Sequence, residues 1–167
     1  MRILSFSYCF PNQANPSWGM FVSQRLAALG RHEELQVCSP VPWFPLLGRG
    51  RHGINTCDEA WQGLSVHRPQ FFYFPGVLKN LDGQLYSRGL KRWFGNICKT
   101  WRPDVLDAHF VWPDGVGVSR LAREMGLPYV ITLRGKVYEC LKNVSQTRQC
   151  AEALSGADAV VSVSSKM

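Results

Sequence analysis

The sequence predicts an α/β fold: a three-layer, doubly wound parallel sheet of about six strands. Two observations carry that expectation. Short apolar runs alternate with helical stretches along the chain, the pattern of strands joined by crossover helices. Four of those runs also end in polar or glycine-rich residues. Arg2–Tyr8 leads into a loop that closes at Gly19, and Val105–Ala108 leads into His109. Tyr129–Leu133 leads into Arg134-Gly135, and Ala159–Val163 into Ser164-Ser165. In an open parallel sheet the loops at the carboxyl ends of the strands converge on one crevice, where ligands bind. The residues gathered there suit a small polar ligand rich in oxygens or phosphate.

Each element follows from local signals. Arg2–Tyr8 reads as a buried strand, followed by a Pro- and Asn-rich loop from Phe10 to Trp18. Met20–Leu29 reads as a helix with Val22, Leu26 and Leu29 on one face, stopped by Gly30. Leu35–Ser39 is a second strand, broken by Pro40 and Pro42, and Val41–Thr56 reads as an irregular surface excursion. Leu64–Arg68 is a third strand, followed by the aromatic run Phe71–Phe74. Asp82–Trp101 reads as a helix with Leu90, Trp93, Phe94, Ile97 and Trp101 on its apolar face. Val105–His109 is the fourth strand. A helix follows from Pro113 to Met125, with proline in its first turn and Gly126 as its stop. Tyr129–Leu133, a helix over Ser145–Leu154, and Ala159–Val163 complete the series.

A chain of 167 residues suits one domain with a single sizeable core. The net charge of +7 attracts anions without choosing among nucleotides, nucleic acid and anionic lipid. None of the six cysteines forms a C-x-x-C pair, which argues against a zinc ribbon or a thioredoxin-like site. Ile3–Phe10 is too short and too polar for a signal peptide, and no run reaches the roughly 18 apolar residues of a membrane span. The expectation is a cytoplasmic protein with reduced cysteines.

The loop after the first strand holds one glycine, not G-x-G-x-x-G, and G-x-x-x-x-G-K-[ST] is absent, so neither a dinucleotide site nor a P-loop is expected. Gly19 stands where a helix begins, and backbone N–H groups there face an anion or simply complete a turn. His109 either bonds a sugar hydroxyl or moves a proton, or is satisfied within the loop layer. Arg134 matches phosphate or carboxylate oxygens, and Gly135 permits close backbone approach. Asp114 is expected to support the first turn of the next helix. Arg88, Lys91, Arg92 and Lys99 form a basic stripe on the long helix, read as a solvated face or as a contact with anionic lipid. No nucleic-acid module accompanies that stripe.

Taken together, several segments resemble the N-terminal, Rossmann-like half of a family 4 glycosyltransferase of the GT-B fold. They are Phe10-Pro11 with Pro16-Ser17-Trp18-Gly19-Met20-Phe21-Val22-Ser23-Gln24-Arg25, then Asp107-Ala108-His109 with Pro113-Asp114-Gly115. Thr132-Leu133-Arg134-Gly135 and Ala157–Ser164 complete the set. The likeness runs from Met1 to Met167, and is greatest to bacterial sugar transferases that build capsule, exopolysaccharide or teichuronic-type polymers. It implies a retaining, metal-independent enzyme that uses a nucleotide sugar as donor substrate and no cofactor, with a glycan or lipid-linked acceptor. His109 would be the catalytic residue. Ser17, Trp18, Gly19, Arg134, Gly135 and Ser164 would line the donor–acceptor cleft. Arg88, Lys91, Arg92 and Lys99 would face the inner membrane surface as a peripheral contact. Relatives often carry an acid two residues after the glycine matched by Gly135; here Val137 stands there and Glu139 follows two later. The donor-binding C-terminal domain and its glutamate pair are not within 1–167, so these residues alone are expected to transfer no sugar. The alternative reading is a non-catalytic module binding an anionic glycan or a membrane surface.

Overall fold

The computed structural model describes residues 1–45, 57–135 and 137–164 of the chain. Nine strands are present among them: β1 (Arg2–Phe6), β2 (Glu34–Cys38), β3 (Val41–Trp43), β4 (Glu59–Trp61), β5 (Leu64–His67), β6 (Gln70–Phe72), β7 (Val105–Ala108), β8 (Tyr129–Leu133) and β9 (Ala159–Ser162). The helices are α1 (Met20–Leu29), α2 (Asp82–Thr100), α3 (Val116–Met125), α4 (Val137–Cys140) and α5 (Val144–Ser155). The main sheet has seven strands in the order β4-β5-β2-β1-β7-β8-β9. All of its pairs are parallel except β4–β5. The parallel strands are the six that the apolar runs predict, in a doubly wound order. From β1 the chain winds outward through β2 and β5, then crosses to β7 and winds the other way. That reversal leaves a crevice at the carboxyl ends of β1 and β7.

Period-two alternation splits the core into two layers. Leu4, Phe6, Leu106, Ala108 and Ile131 face α2, α3 and α5 and meet Tyr86, Leu90, Phe94 and Leu121. Val37 and Val66 face the other way, onto Val22 and Leu26 of α1. Full burial of each such Leu, Ile or Phe is worth about 1.5–3 kcal/mol. The same alternation puts Ser5, Asp107 and His109 on the α1 side. The β1–β7 register sets Ser5 directly opposite Asp107.

Several local expectations are corrected. The segment Val41–Thr56 is not irregular throughout: β3 pairs in parallel with β6 as a separate two-stranded ribbon, while 46–56 lie outside the described residues. An edge ribbon admits Pro42, which has no N–H to donate. The β4–β5 hairpin was not visible as a strand pair. It turns on Gln62 (φ 51°) and Gly63 (φ 82°), the doubly left-handed turn that matches strand twist. Pro113 is not in the first turn of an α-helix. Val111–Gly115 forms a wider turn, and α3 begins at Val116. The last helix begins one residue before Ser145, where the Asn143 side chain accepts from Ser145 N (3.0 Å) and Gln146 N (3.2 Å).

Candidate functional site

The loop after β1 is held from three directions. Ser7 Oγ donates to Cys9 O at 2.9 Å, and the Asn12 carboxamide accepts from Asn15 N at 2.9 Å. Tyr8 N–H donates to both carboxylate oxygens of Asp114 at 3.2 Å. Arg68, its side chain 1% exposed, donates from Nη1 to Ser39 Oγ (2.9 Å), from Nη2 to Pro11 O, and from Nε to Glu59 Oε1 (2.9 Å). Gly19 closes the loop in the left-handed region at φ 70°, where a Cβ would lie 2.2 Å from Cys9 O. No other residue fits there without moving that backbone. Its carbonyl accepts from Val22 N (2.8 Å) and Ser23 N (3.2 Å), so α1 starts at the crevice with its N-terminal end.

Beyond that loop, β7 and β8 contribute a charged corner. Asp107 Oδ2 accepts from Ser5 Oγ at 2.9 Å and lies 3.0 Å from His109 Nε2, within ion-pair reach but out of hydrogen-bond alignment. Burial pushes the Asp107 carboxyl up, but His109, the Ser5 hydroxyl and the Arg25 charge outweigh it and hold it below the ordinary range. Arg134 Nη2 lies 3.3 Å from His109 Nδ1. A guanidinium has only donors, so Nδ1 accepts and the imidazole proton sits on Nε2, toward Asp107. The Arg134 guanidinium also covers the Phe21 ring, 4.9 Å from its centroid. Its Nε is buried and has no partner among the described residues. Burial, and then the charge of Arg25, pull the Arg134 pKa down. Arg25 itself reaches the same strand, donating from Nη1 to Thr132 Oγ1 at 2.9 Å. Two guanidiniums that disfavour each other, Arg134 over Phe21 at the start of α1 and Arg25 more than a turn further along it, form a basic corner.

The other feature is a cavity of about 550 Å³ at the carboxyl edge of β1, β2 and β5. Tyr8, Phe10, Trp18, Phe71, Tyr73 and Trp112 supply aromatic walls, with Lys79, Asp82 and Glu139 among the charged residues. Lys79 Nζ donates to Asp82 Oδ2 at 3.2 Å and lies 5.0 Å from the Tyr73 ring centroid. Burial raises the Asp82 carboxyl against the pull of Lys79.

The sequence-predicted residues fall in different places. His109 and Arg134 are in contact, but His109 is fully buried and touches no open space. Trp18 lines the cavity and Gly19 closes the loop beside it. Ser17 is exposed, with Oγ donating to Asn15 Oδ1 at 3.2 Å. Gly135 is exposed, and a Cβ there would meet nothing within 4 Å. Ser164 follows β9, three strands from β1, about 14 Å across the sheet. Arg88, Lys91, Arg92 and Lys99 are exposed on α2, and Lys91 pairs with Glu124 of α3 at 2.9 Å. Asp114 does not support the start of α3. It is completely buried and receives the Tyr8 N–H, tying the β1 loop to the β7 loop. The cavity residues Arg68, Tyr73, Lys79 and Asp82 were not singled out from the sequence. A charged residue ending a buried strand, as Arg68 does, is the signal that points to one of them. Among the described residues, no group of three His, Cys, Asp or Glu side chains converges as a metal site.

The strand order, the crevice at the reversal and the glycine-closed loop define a Rossmann-like α/β domain with a basic corner and an aromatic cavity at its carboxyl edge. The chain belongs to the glycosyl transferase 4-like domain family, which it matches over residues 22–167. It is 26% identical to a Bacillus subtilis (strain 168) protein named as the teichuronic acid biosynthesis glycosyltransferase TuaC, over 100% of this chain and 45% of that protein. Among solved structures it resembles Arabidopsis thaliana UGT89C1, determined complexed with UDP. That match has a TM-score of 0.56 and 10% identity, covering 98% of this chain and 45% of the other. At that identity the likeness is one of fold. The chain thus spans a little under half the length of each of these proteins.

Proposed function

We propose that this chain is the acceptor-side, N-terminal domain of a retaining, metal-independent glycosyltransferase of polysaccharide biosynthesis. The enzyme moves a sugar from a nucleotide-sugar donor to a glycan or lipid-linked acceptor at the cytoplasmic membrane face. The observations that carry this reading are the aromatic cavity lined by Tyr8, Phe10 and Trp18 of the loop that Gly19 closes, and the Arg134 guanidinium over Phe21, two residues past Gly19. Aromatic walls suit the apolar faces of sugar rings, and the corner suits a diphosphate. The UDP in the Arabidopsis protein and the name of the Bacillus relative support the donor class and the polymer class. Among the described residues no helix is long and apolar enough to cross a membrane.

In the transfer, an acceptor hydroxyl oxygen bonds to the anomeric carbon as the carbon–oxygen bond to the diphosphate breaks. The electron pair leaves with the diphosphate, and the hydroxyl proton passes to it. Negative charge therefore grows on the leaving group, where Arg134 and the N-terminal end of α1 stabilise it. His109 works through Arg134: its Nδ1 accepts from the guanidinium, and complete burial beside Asp107 holds the ring. It is a positioning residue in this reading. Donor contacts from a second domain complete the site, so residues 1–167 alone transfer no sugar.

The test uses the full-length protein, a panel of labelled nucleotide sugars and a bacterial lipid and glycan extract. One donor should label an acceptor, and Arg134→Gln should lower that rate about 10²–10³-fold, the cost of one well-placed donor to developing charge. No donor binding and no transfer by the wild-type protein would reject the proposal.

A further inference from the structure

Two thiols meet at the junction of α4 and α5. The chain leaves α4 at Cys140 and enters α5 at Val144. Thr147 Oγ1 donates back to the Cys140 carbonyl at 3.1 Å, and the Asn143 N–H donates to the same oxygen at 3.4 Å. Cys150 stands three residues beyond Thr147, on the same face of α5. The reversal thus carries Cys150 onto Cys140, and its thiol donates a hydrogen bond to the Cys140 sulfur. Both are free thiols in one core cluster, 6% and 7% exposed.

The two are not equivalent. A hydrogen bond favours the thiolate of the sulfur that accepts it, so the Cys140 thiol is drawn below its ordinary value and the Cys150 thiol is pushed above. Burial drives the thiols of Cys38 and Cys98 upward instead. Cys140 also forms part of the cavity lining, together with Glu139 and Gln146, whereas Cys150 does not. A small molecule that enters the cavity therefore meets the more acidic sulfur first. A low-pKa thiol open to a cavity, with a second thiol against it, is the arrangement of a redox-reactive cysteine and its resolving partner.

We infer that Cys140 and Cys150 form a dithiol that a hydroperoxide entering the cavity oxidises to a disulfide, Cys140 attacking and Cys150 resolving. The Cys140 thiolate sulfur bonds to the terminal peroxide oxygen as the O–O bond breaks. The electron pair leaves with the second oxygen, which takes up the proton that Cys140 released and departs as water or an alcohol. Cys140 is then a sulfenic acid. The Cys150 sulfur bonds to the Cys140 sulfur, the S–O bond breaks, and the hydroxyl leaves with the Cys150 proton as water. Two thiols lose two electrons in all, and one hydroperoxide is reduced. The disulfide staples the end of α4 to α5 and fixes the stretch of cavity wall that Glu139 and Gln146 share. This chemistry goes beyond the proposed transfer and needs neither donor nor acceptor.

Peptide mapping of the full-length protein, reduced and then treated with hydrogen peroxide, tests it. Trypsin cuts after Lys142 and Arg148, so Cys140 and Cys150 fall in separate peptides. The expected product is those two peptides joined, and released again by dithiothreitol. Cys150→Ser should stop the reaction at a Cys140 sulfenic acid, which dimedone labels at least about tenfold faster than Cys38 or Cys98. In Cys140→Ser the remaining Cys150 should stay a thiol. Thermal melting checks that both variants are folded, and the wild-type arm does not depend on them. The inference is overturned if peroxide leaves the two peptides of the wild-type protein unlinked, or if they link only in urea. It is equally overturned if dimedone labels Cys150 in Cys140→Ser as readily as Cys140 in Cys150→Ser. Linked peptides from a protein that transfers no sugar would reject only the proposed reaction.

Discussion

Asp114→Asn is expected to remove a pH dependence that the wild-type fold carries. Asp114 is completely buried between the loops after β1 and β7, and both oxygens accept the Tyr8 N–H. Burial raises its pKa from 3.8 to about 7, against the downward pull of the Tyr8 N–H and the Tyr86 hydroxyl. Between those values the native protein keeps a proton that the unfolded chain has released. The native state then binds more protons, so stability falls as pH rises through this window. The contribution is fully present below 3.8 and gone above about 7. The gap is worth about 4 kcal/mol at most, at ~1.4 kcal/mol per pH unit. Asparagine keeps an oxygen for the Tyr8 N–H and does not titrate. Urea unfolding of both proteins at pH 5 and pH 8 gives a double difference that cancels every other group. The variant should gain about 3 kcal/mol on wild type between those pH values. A difference that does not change with pH would mean that Asp114 titrates normally, and would refute the burial argument.

Gly19→Ala should destabilise the fold by about 1–3 kcal/mol from its left-handed φ of 70°, with the clash of its Cβ on Cys9 O, 2.2 Å away, adding to that; denaturant unfolding measures it. Arg68→Met should cost about 3 kcal/mol by leaving Glu59 with a partly buried, unpaired charge and the Pro11 carbonyl without its donor, read by the same assay. In the full-length enzyme His109→Ala should lower turnover far more than it lowers melting temperature, because Arg134 loses its anchor. A destabilised variant with normal specific activity would assign His109 to the scaffold alone.

Much of the fold was legible because its signals are local. Six parallel strands announce themselves as apolar runs, and Met20–Leu29 and Asp82–Thr100 repeat apolar residues at helical spacing. Gly19 and the His109–Arg134 pair were legible because doubly wound topology sends every strand-end loop to one edge. The ribbon was not legible: β3 and β6 are three residues each, lie 26 residues apart between their last and first members, and include a proline. So short a pair gains its stability from the α2 face it packs against, which no local propensity reports.

The sequence by itself determined the fold class, the order of its six parallel strands and which loops share an edge, since burial periodicity and chain connectivity depend only on residue order. Tertiary structure alone decided the roles within that edge. It buried His109 and left Arg134 to face the crevice corner. It turned Asp114 from a helix-start residue into a clamp on the β1 loop, and set Arg68 beneath that loop. It also gathered Trp43, Phe44, Phe72 and Phe74 into one aromatic cluster. Those outcomes depend on side chains from distant segments meeting at distances of a few ångströms, and on the water excluded when they do. Neither quantity exists until the sheet has closed over its helices.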